Sequence, residues 1–225
     1  MKTYDVTALK SLGTEDYLDW NGSIWKNVPS INVEEFHPQG SAHRPDVQVK
    51  AAHFDNTILI LFKVKDRYVR VVQTQRQSSV CLDSCVEFFV WPRPDKGYVN
   101  IECNCGGTFL SKYYSNPDVS PEERFKTARS LDDSVLDKIV IKTTMPKTVD
   151  PELTDPTEYS VFLSIPVAVY ESVIGPLAPL SGQVWRANFY KCGDETSHPH
   201  WASWNPIGEM LSFHQPRRFG EIRFL

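Results

Sequence analysis

The sequence predicts an all-β fold: an antiparallel sandwich of two sheets, immunoglobulin-like or jelly-roll-like, with little helix. Short segments in which apolar and polar residues alternate recur along the chain, and turn-forming residues separate them. In addition, no Gly/Ser linker or run of charge divides the 225 residues, a length that suits one large sandwich. We therefore expect residues 1–225 to form a single domain.

Eight segments have the alternating pattern, and each is predicted to be a strand. They are residues 47–54, 57–64, 85–91, 98–105, 139–144, 159–165, 184–190 and 221–225. Two connections predict antiparallel neighbours: Asp55 and Asn56 are a two-residue turn signal, and the 92–97 connection is rich in proline and ends in glycine.

Alternation gives these strands one apolar and one polar face. In 98–105 the polar face carries Asn100, Glu102 and Asn104, and in 184–190 it carries Arg186 and Asn188. Such faces commonly meet water, but amide, guanidinium and carboxylate groups also suit a binding face. The residues on the apolar faces of the predicted strands are expected to point into the core. They are Val86, Phe88, Val90, Ile101, Phe189, Ile222 and Phe224.

Helix is predicted at only two places. A proline at position 121 favours a first helical turn over 121–125, and 166–173 is expected to form a turn or two before Gly175. Between residues 106 and 138 the alternation is lost and polar residues predominate. We expect a long excursion there that covers one end of the sandwich, where ligands are often bound.

Charge and hydropathy exclude some classes of partner. The net charge of −4 provides no basic surface for nucleic acid, and no stretch approaches the eighteen or so apolar residues of a membrane span. The first residues lack the apolar region of a signal peptide. The chain as given is therefore expected in the cytoplasm, or outside it if a signal peptide has been removed.

The five cysteines are an odd number, so a complete set of disulfides is excluded. Their spacings, C-x3-C and C-x-C, also lack the C-x2-C pair typical of zinc knuckles. We predict reduced, structural thiols. Calcium binding stays open, because Asp66 and Asp83 offer oxygen donors, although no EF-hand loop is present.

No catalytic motif is found. The chain lacks a G-x-S-x-G elbow, an H-E-x-x-H helix, a P-loop and a dinucleotide fingerprint. The acidic pairs at 122–123 and 132–133 are expected to be solvated surface charge. We therefore predict that the protein is not an enzyme. A second metal hypothesis groups nearby side chains of the C-terminal part: Asp194, Glu195, His198, His200 and His214.

Aromatic and polar residues are concentrated near the C-terminus. Three of the six tryptophans, Trp185, Trp201 and Trp204, fall within the last forty-two residues, and the last two lie in a predicted loop. A sugar ring has weakly polar C–H faces that stack on aromatic rings and a rim of hydroxyls that needs hydrogen-bonding side chains. This composition therefore favours a carbohydrate ligand.

Several segments together resemble the carbohydrate-binding module family 9-like domains. The resemblance is carried by residues 83–90, 98–107, 164–166, 185–189 and 214–224, and it covers the chain from about Val47 to the end. It implies a β-sandwich that, in binding members, holds a sugar between aromatic rings, with polar residues on its hydroxyls and structural calcium in some cases. Carried over by position, Glu87, Glu102 and Asn104 correspond to hydrogen-bonding residues.

The chain departs from the family where a stacking tryptophan is expected, because Phe213 and His214 stand there. We expect Trp201 and Trp204 to provide the stacking surface instead. The complete predicted site is Trp201, Trp204, Arg186, Asn188, Glu102, Asn104, Glu87, Phe213 and His214.

Two alternatives remain. One is a haem-binding electron-transfer sandwich with Met210 and His214 as axial ligands, although residues four apart in a loop are poorly placed for opposite haem faces. The other is a family-like domain that has lost its sugar site.

Overall fold

The computed structural model describes residues 1–12 and 16–225, and it confirms the predicted β-sandwich with little helix. The helices are α1 (Pro121–Thr127), α2 (Asp133–Leu136) and α3 (Val167–Ile174). The strands are β1 (Thr3–Ala8), β2 (Ser30–Asn32), β3 (Glu35–Phe36), β4 (Asp46–Phe54), β5 (Thr57–Asp66), β6 (Val69–Val71), β7 (Cys85–Trp91), β8 (Tyr98–Asn104), β9 (Phe109–Tyr114), β10 (Ala128–Ser130), β11 (Val140–Thr143), β12 (Val149–Leu153), β13 (Thr157–Pro166), β14 (Val184–Cys192), β15 (Trp201–Ser203) and β16 (Gly220–Phe224).

Two sheets form the sandwich, and β1 belongs to both. The front sheet has the order β10-β9-β8-β7-β14-β16-β1, with β15 and β3 beside β14, and the back sheet has the order β1-β4-β5-β13-β11, with β2 beside β4. Strand β1 pairs with β16 over residues 3–6 and with β4 over residues 7–8. Both of these pairings are parallel, so the predicted antiparallel arrangement holds for the other pairings within the two sheets but not for β1.

All eight predicted strands are present, with ends that differ by up to two residues. The β4–β5 hairpin turns at Asp55 and Asn56, whose φ angles of 44° and 54° are those of a primed turn. The 92–97 connection likewise joins the antiparallel strands β7 and β8. Helix α3 lies where the sequence predicts it and is followed by Gly175 at φ 84°.

The prediction for residues 106–138 is wrong in part, because this segment contains β9. Strand β9 pairs with β8 over six residues and is buried on both faces, apart from the half-buried Lys112. A strand covered on both sides does not need strict alternation, which explains why the pattern was not recognised. Residues 201–203, predicted to lie in a loop, form β15 beside β14.

Aromatic rings from both sheets meet in the main core. Phe189 of β14 stacks on Phe88 at 5.0 Å between ring centroids and meets Phe62 of β5 edge-on at 6.1 Å. All seven predicted core residues belong to this cluster and are at most 2% exposed. The five cysteines are unpaired, as predicted.

A second apolar layer covers the outer face of the front sheet. Residues 205–219, hereafter the covering segment, place Ile207, Phe213 and Phe219 against outward-facing rings of the sheet. Phe213 stacks on Tyr190 of β14 at 4.1 Å, and Phe219 meets Tyr98 of β8 edge-on at 5.8 Å. The polar faces of β8 and β14 are therefore buried rather than solvated. Within the described residues, no helix is long and apolar enough to span a membrane.

Replacing Phe88 with alanine should destabilise the fold by about 3–5 kcal/mol, because a buried ring is lost and a cavity remains. Urea denaturation monitored by tryptophan fluorescence measures this change. The control is Val184→Ala at a side chain 53% exposed, expected to cost less than about 0.5 kcal/mol. Equal midpoints for Phe88→Ala and the wild type would place the ring outside the core.

Candidate functional site

A cavity of about 790 Å³ lies on the outer face of the front sheet. Its volume is within the range of sites for small ligands. The walls are formed by residues 210–214, by Phe125 of α1 and Trp201 of β15, and by Ser79, Cys81 and Asp194. The floor is formed by outward-facing side chains of four adjacent strands: Glu87, Phe89, Glu102, Leu110, Lys112, Tyr114 and Cys192.

Strand register brings the floor residues together. Alternation along β7 points Glu87 outward and its neighbours Val86 and Phe88 into the main core. Glu87 lies directly opposite Glu102 of β8 in the antiparallel pairing. The floor therefore carries two adjacent buried carboxyl groups, an arrangement that disfavours double ionisation.

One end of the cavity is aromatic. The ring of His214 lies 4.6 Å from Tyr114, 4.9 Å from Phe89 and 5.1 Å from Phe125, measured between centroids. Its Nδ1 is 2.9 Å from the Tyr98 hydroxyl. Burial, with the nearby cations Arg124 and Lys112, lowers the pKa of His214 to about 3. The imidazole is thus neutral at physiological pH and acts as part of the aromatic wall.

The other end is acidic. The indole Nε1 of half-buried Trp201 donates to Asp194 Oδ1 at 2.8 Å, which fixes the ring at the cavity wall. Glu102 Oε1 accepts from Asn100 Nδ2 at 2.6 Å. Burial raises the pKa of Glu102 to about 7, and burial together with the charge of Glu102 holds the pKa of Glu87 well above its usual range. Burial also raises the pKa of Asp194.

Five of the nine residues predicted from sequence line this cavity. Glu87 and Glu102 lie on the floor, and Trp201, Phe213 and His214 lie in the walls. The fold thus brings together residues from three strands and the covering segment.

The other four residues do not line the cavity. Trp204 lies in the main core, 2% exposed, and meets Phe189 edge-on at 5.8 Å. Arg186 donates to the carbonyl oxygens of Arg217 and Phe219, and Asn188 Nδ2 donates to the carbonyl oxygen of Asn205 at 3.0 Å. These two side chains hold the covering segment in place.

Asn104 closes the turn after β8. Its Oδ1 accepts from the backbone of Thr108 at 3.0 Å, and its Nδ2 donates to Gln73 and to Asp83 Oδ2 at 2.8 and 2.9 Å. Its oxygen and its amide nitrogen are hydrogen-bonded within the protein and the side chain is fully buried, so it does not present a free group to a ligand.

Sequence reasoning missed the cavity residues of β9 and α1. Leu110, Lys112 and Tyr114 are two apart and share the outward face of β9, and Phe125 is 55% exposed on α1. Residues 109–114 show no apolar–polar alternation, because both faces of β9 are covered, so the sequence offered no periodic signal for these side chains.

The carboxylates proposed for calcium have partners within the protein. Asp83 accepts from the backbone of Val72 and Gln73 at 3.0 and 2.8 Å. Asp66 pairs with His43 and with Lys191. In the other metal hypothesis, His200 Nε2 is 2.6 Å from Lys191 Nζ, whereas Asp194 and His214 lie in the cavity walls.

The chain matches the family model of carbohydrate-binding family 9 over residues 14–224, which is almost its whole length. The chain belongs to this family. The resemblance seen in the sequence is thus confirmed, and the family assignment with the sandwich fold supports a carbohydrate-binding domain. A comparison with curated proteins finds no match.

Solved structures share the fold of this family 9 chain. A protein of Bacteroides uniformis ATCC 8492, named a "putative carbohydrate-binding protein", is 27% identical with a TM-score of 0.87, and the match covers 100% of this chain and 99% of that one. Two structures of a family 9 module from Caldicellulosiruptor kristjanssonii hold glucose and cellotriose. They are 15% and 16% identical, with TM-scores of 0.61 and 0.65, and cover 100% and 99% of this chain and 96% and 93% of theirs.

The raised pKa of Glu102 predicts a pH-dependent effect of Glu102→Gln. Between pH 4.5, the ordinary pKa of a glutamate side chain, and about pH 7, the folded protein holds a proton on Glu102 that the unfolded chain has released. The stabilisation that this proton gives the folded state is fully present below pH 4.5 and is lost as the pH rises through about 7. The variant cannot ionise. Between pH 5 and pH 8 the stability of the variant relative to the wild type should therefore increase by on the order of 3 kcal/mol. The melting temperature of the variant should rise relative to that of the wild type over the same range.

Comparing the two proteins at each pH cancels the titration of other groups, and the exposed Glu209→Gln is a matched control. A melting-temperature difference that is the same at pH 5 and pH 8 would show that Glu102 does not titrate in this range.

Proposed function

We propose that residues 1–225 act as one non-catalytic domain that binds a saccharide in the cavity of the front sheet. The observation that carries the proposal is the division of this cavity into an aromatic end and an acidic end, on the sheet of a family 9 domain. A sugar needs both kinds of surface, a flat apolar one for its C–H faces and a polar one for its hydroxyls.

Two rings are placed to stack on a sugar; Tyr114 of the floor is not, because it is only 2% exposed and is covered by Tyr98 and His214. Trp201 is held by its bond to Asp194. Phe125 is largely exposed and lines the same space. Rings whose orientation is already fixed lose little conformational entropy when a ligand binds.

The polar end can bind hydroxyl groups in two ways. An ionised carboxylate accepts hydrogen bonds, and a protonated one can donate one as well. Glu87 and Glu102 are adjacent, and their raised pKa values keep protons available at neutral pH. Lys112 adds a cationic donor on the same floor.

The arrangement of the carboxyl groups supports binding without catalysis. A glycosidase needs two carboxyl groups on either side of the scissile bond. Glu87 and Glu102 instead stand side by side on neighbouring strands, in one floor of the cavity. Both would therefore contact the same side of a bound sugar, while Asp194 in the wall accepts a hydrogen bond from the indole Nε1 of Trp201.

The solved structures of the family suggest the first ligands to test. Glucose and cellotriose, held by the modules from Caldicellulosiruptor kristjanssonii, can be titrated calorimetrically, together with a panel of other saccharides. Absence of binding to any saccharide at millimolar concentration would contradict the proposed function. Release of sugar products during long incubation would contradict its non-catalytic part.

Trp201→Ala and Phe125→Ala should each weaken saccharide binding about tenfold, because loss of a stacking ring costs roughly 1–2 kcal/mol. Trp20→Ala is the matched control, because Trp20 packs over the back sheet, away from the cavity. Trp204→Ala should instead lower the melting temperature, since that ring is in the main core. Unchanged affinity in both cavity variants would exclude this cavity even if the protein binds a sugar.

A further inference from the structure

Strands β7 and β14 bring two cysteines and a glutamate together beside the cavity. Cys85 and Cys192 are directly opposite each other in the antiparallel register, and Glu87 is two residues further along the same face of β7. The two sulfur atoms and a carboxylate oxygen of Glu87 all lie within 4.8 Å of one another. The donors come from distant parts of the sequence, which is why cysteine spacing alone gave no sign of them.

All three side chains are buried, and their hydrogen bonding is incomplete. Cys192 Sγ donates to Glu87 Oε1 at 3.2 Å. Glu87 is only 2% exposed, yet its Oε2 has no hydrogen-bond partner in the described part of the chain. A buried carboxyl oxygen without a hydrogen-bond partner is costly, and a bound cation would remove that cost.

We propose that Cys85, Cys192 and Glu87 form a binding site for a thiophilic divalent cation, with Zn²⁺ as the best fit. Zinc binds cysteine sulfur at about 2.3 Å and carboxylate oxygen at about 2.0–2.2 Å. Tetrahedral coordination with these bonds separates two sulfur donors by about 3.8 Å, so donors within 4.8 Å need to close by only about 1 Å. Calcium and magnesium prefer sets of oxygen donors and are therefore disfavoured.

The cavity provides access to this site. Cys192 and Glu87 line it, so an ion can enter without opening the main core. Cys81 also lines the cavity, and its carbonyl oxygen is 3.6 Å from Cys192 Sγ. We assign the fourth coordination position to the cavity side, next to Cys81.

Charge balance also fits a divalent cation. Burial raises the pKa of Cys85 to about 12, so in the absence of metal the thiol keeps its proton. When the metal binds, each cysteine releases its proton to solvent as its metal–sulfur bond forms, and Glu87 releases its proton as its oxygen binds the metal. Two thiolates and a carboxylate around Zn²⁺ leave only one negative charge on the site.

The test uses the reduced protein, residues 1–225, without sugar. It is titrated with Zn²⁺ by calorimetry and with Co²⁺ by absorption spectroscopy. We expect one ion per chain and a thiolate-to-cobalt charge-transfer band in the near ultraviolet. Cys85→Ser and Cys192→Ser should each weaken Zn²⁺ binding on the order of 100-fold. Cys103→Ser is the matched control, because Cys103 is equally buried but faces the main core.

No charge-transfer band with the wild type, or an equal loss of affinity in Cys103→Ser, would overturn the proposal. If near-ultraviolet circular dichroism shows that the serine variants do not fold, the Glu87→Gln variant provides the test instead. Unchanged Zn²⁺ affinity in Glu87→Gln would overturn the proposed metal site. The proposal does not rest on the proposed function. Zinc binding is measured without saccharide, so either proposal can fail while the other holds.

Discussion

Three side chains of β14 hold the covering segment against the front sheet, and the cavity depends on this attachment. Arg186, Asn188 and Tyr190 all face outward, and each donates a hydrogen bond to a backbone carbonyl of the covering segment. These bonds satisfy polar groups that the covering segment would otherwise leave buried and unpaired. Since Phe213 and His214 belong to this segment, the walls of the cavity are positioned by the sheet that forms its floor.

The same attachment explains which parts of the site could be predicted from sequence. The family resemblance assigned Glu87 and Glu102 to the site, and alternation placed Glu102 on a polar face and correctly assigned core side chains such as Phe88. It could not distinguish a polar residue that meets a ligand from one that binds the backbone of a distant segment. Arg186 and Asn188 were therefore assigned to the site by residue type, although their partners are the carbonyl groups of residues 205–219.

The odd separation of Trp201 and Trp204 in the sequence already indicates that their rings point in opposite directions. Trp201 and Trp204 are three residues apart, and in extended backbone an odd separation points side chains to opposite faces. Trp201 indeed lines the cavity, whereas Trp204 packs in the main core. The sequence predicts a loop over this stretch, and side chains in a loop have no fixed alternation, so the prediction did not separate the two rings. The strand β9 was missed for a related reason, since both of its faces are covered.

The position of β1 has a consequence for how this chain folds. Residues 3–6 lie beside the last strand, with Thr3 opposite Glu221, and residues 7–8 continue onto β4 of the other sheet. The first strand therefore cannot complete its pairing until residues 221–224 have been synthesised. Closing such a long loop has a large entropic cost, and folds rich in distant contacts form slowly. Until residues 221–224 have been synthesised, β1 can pair only with β4, so the two sheets are joined through β1 at a late stage of folding.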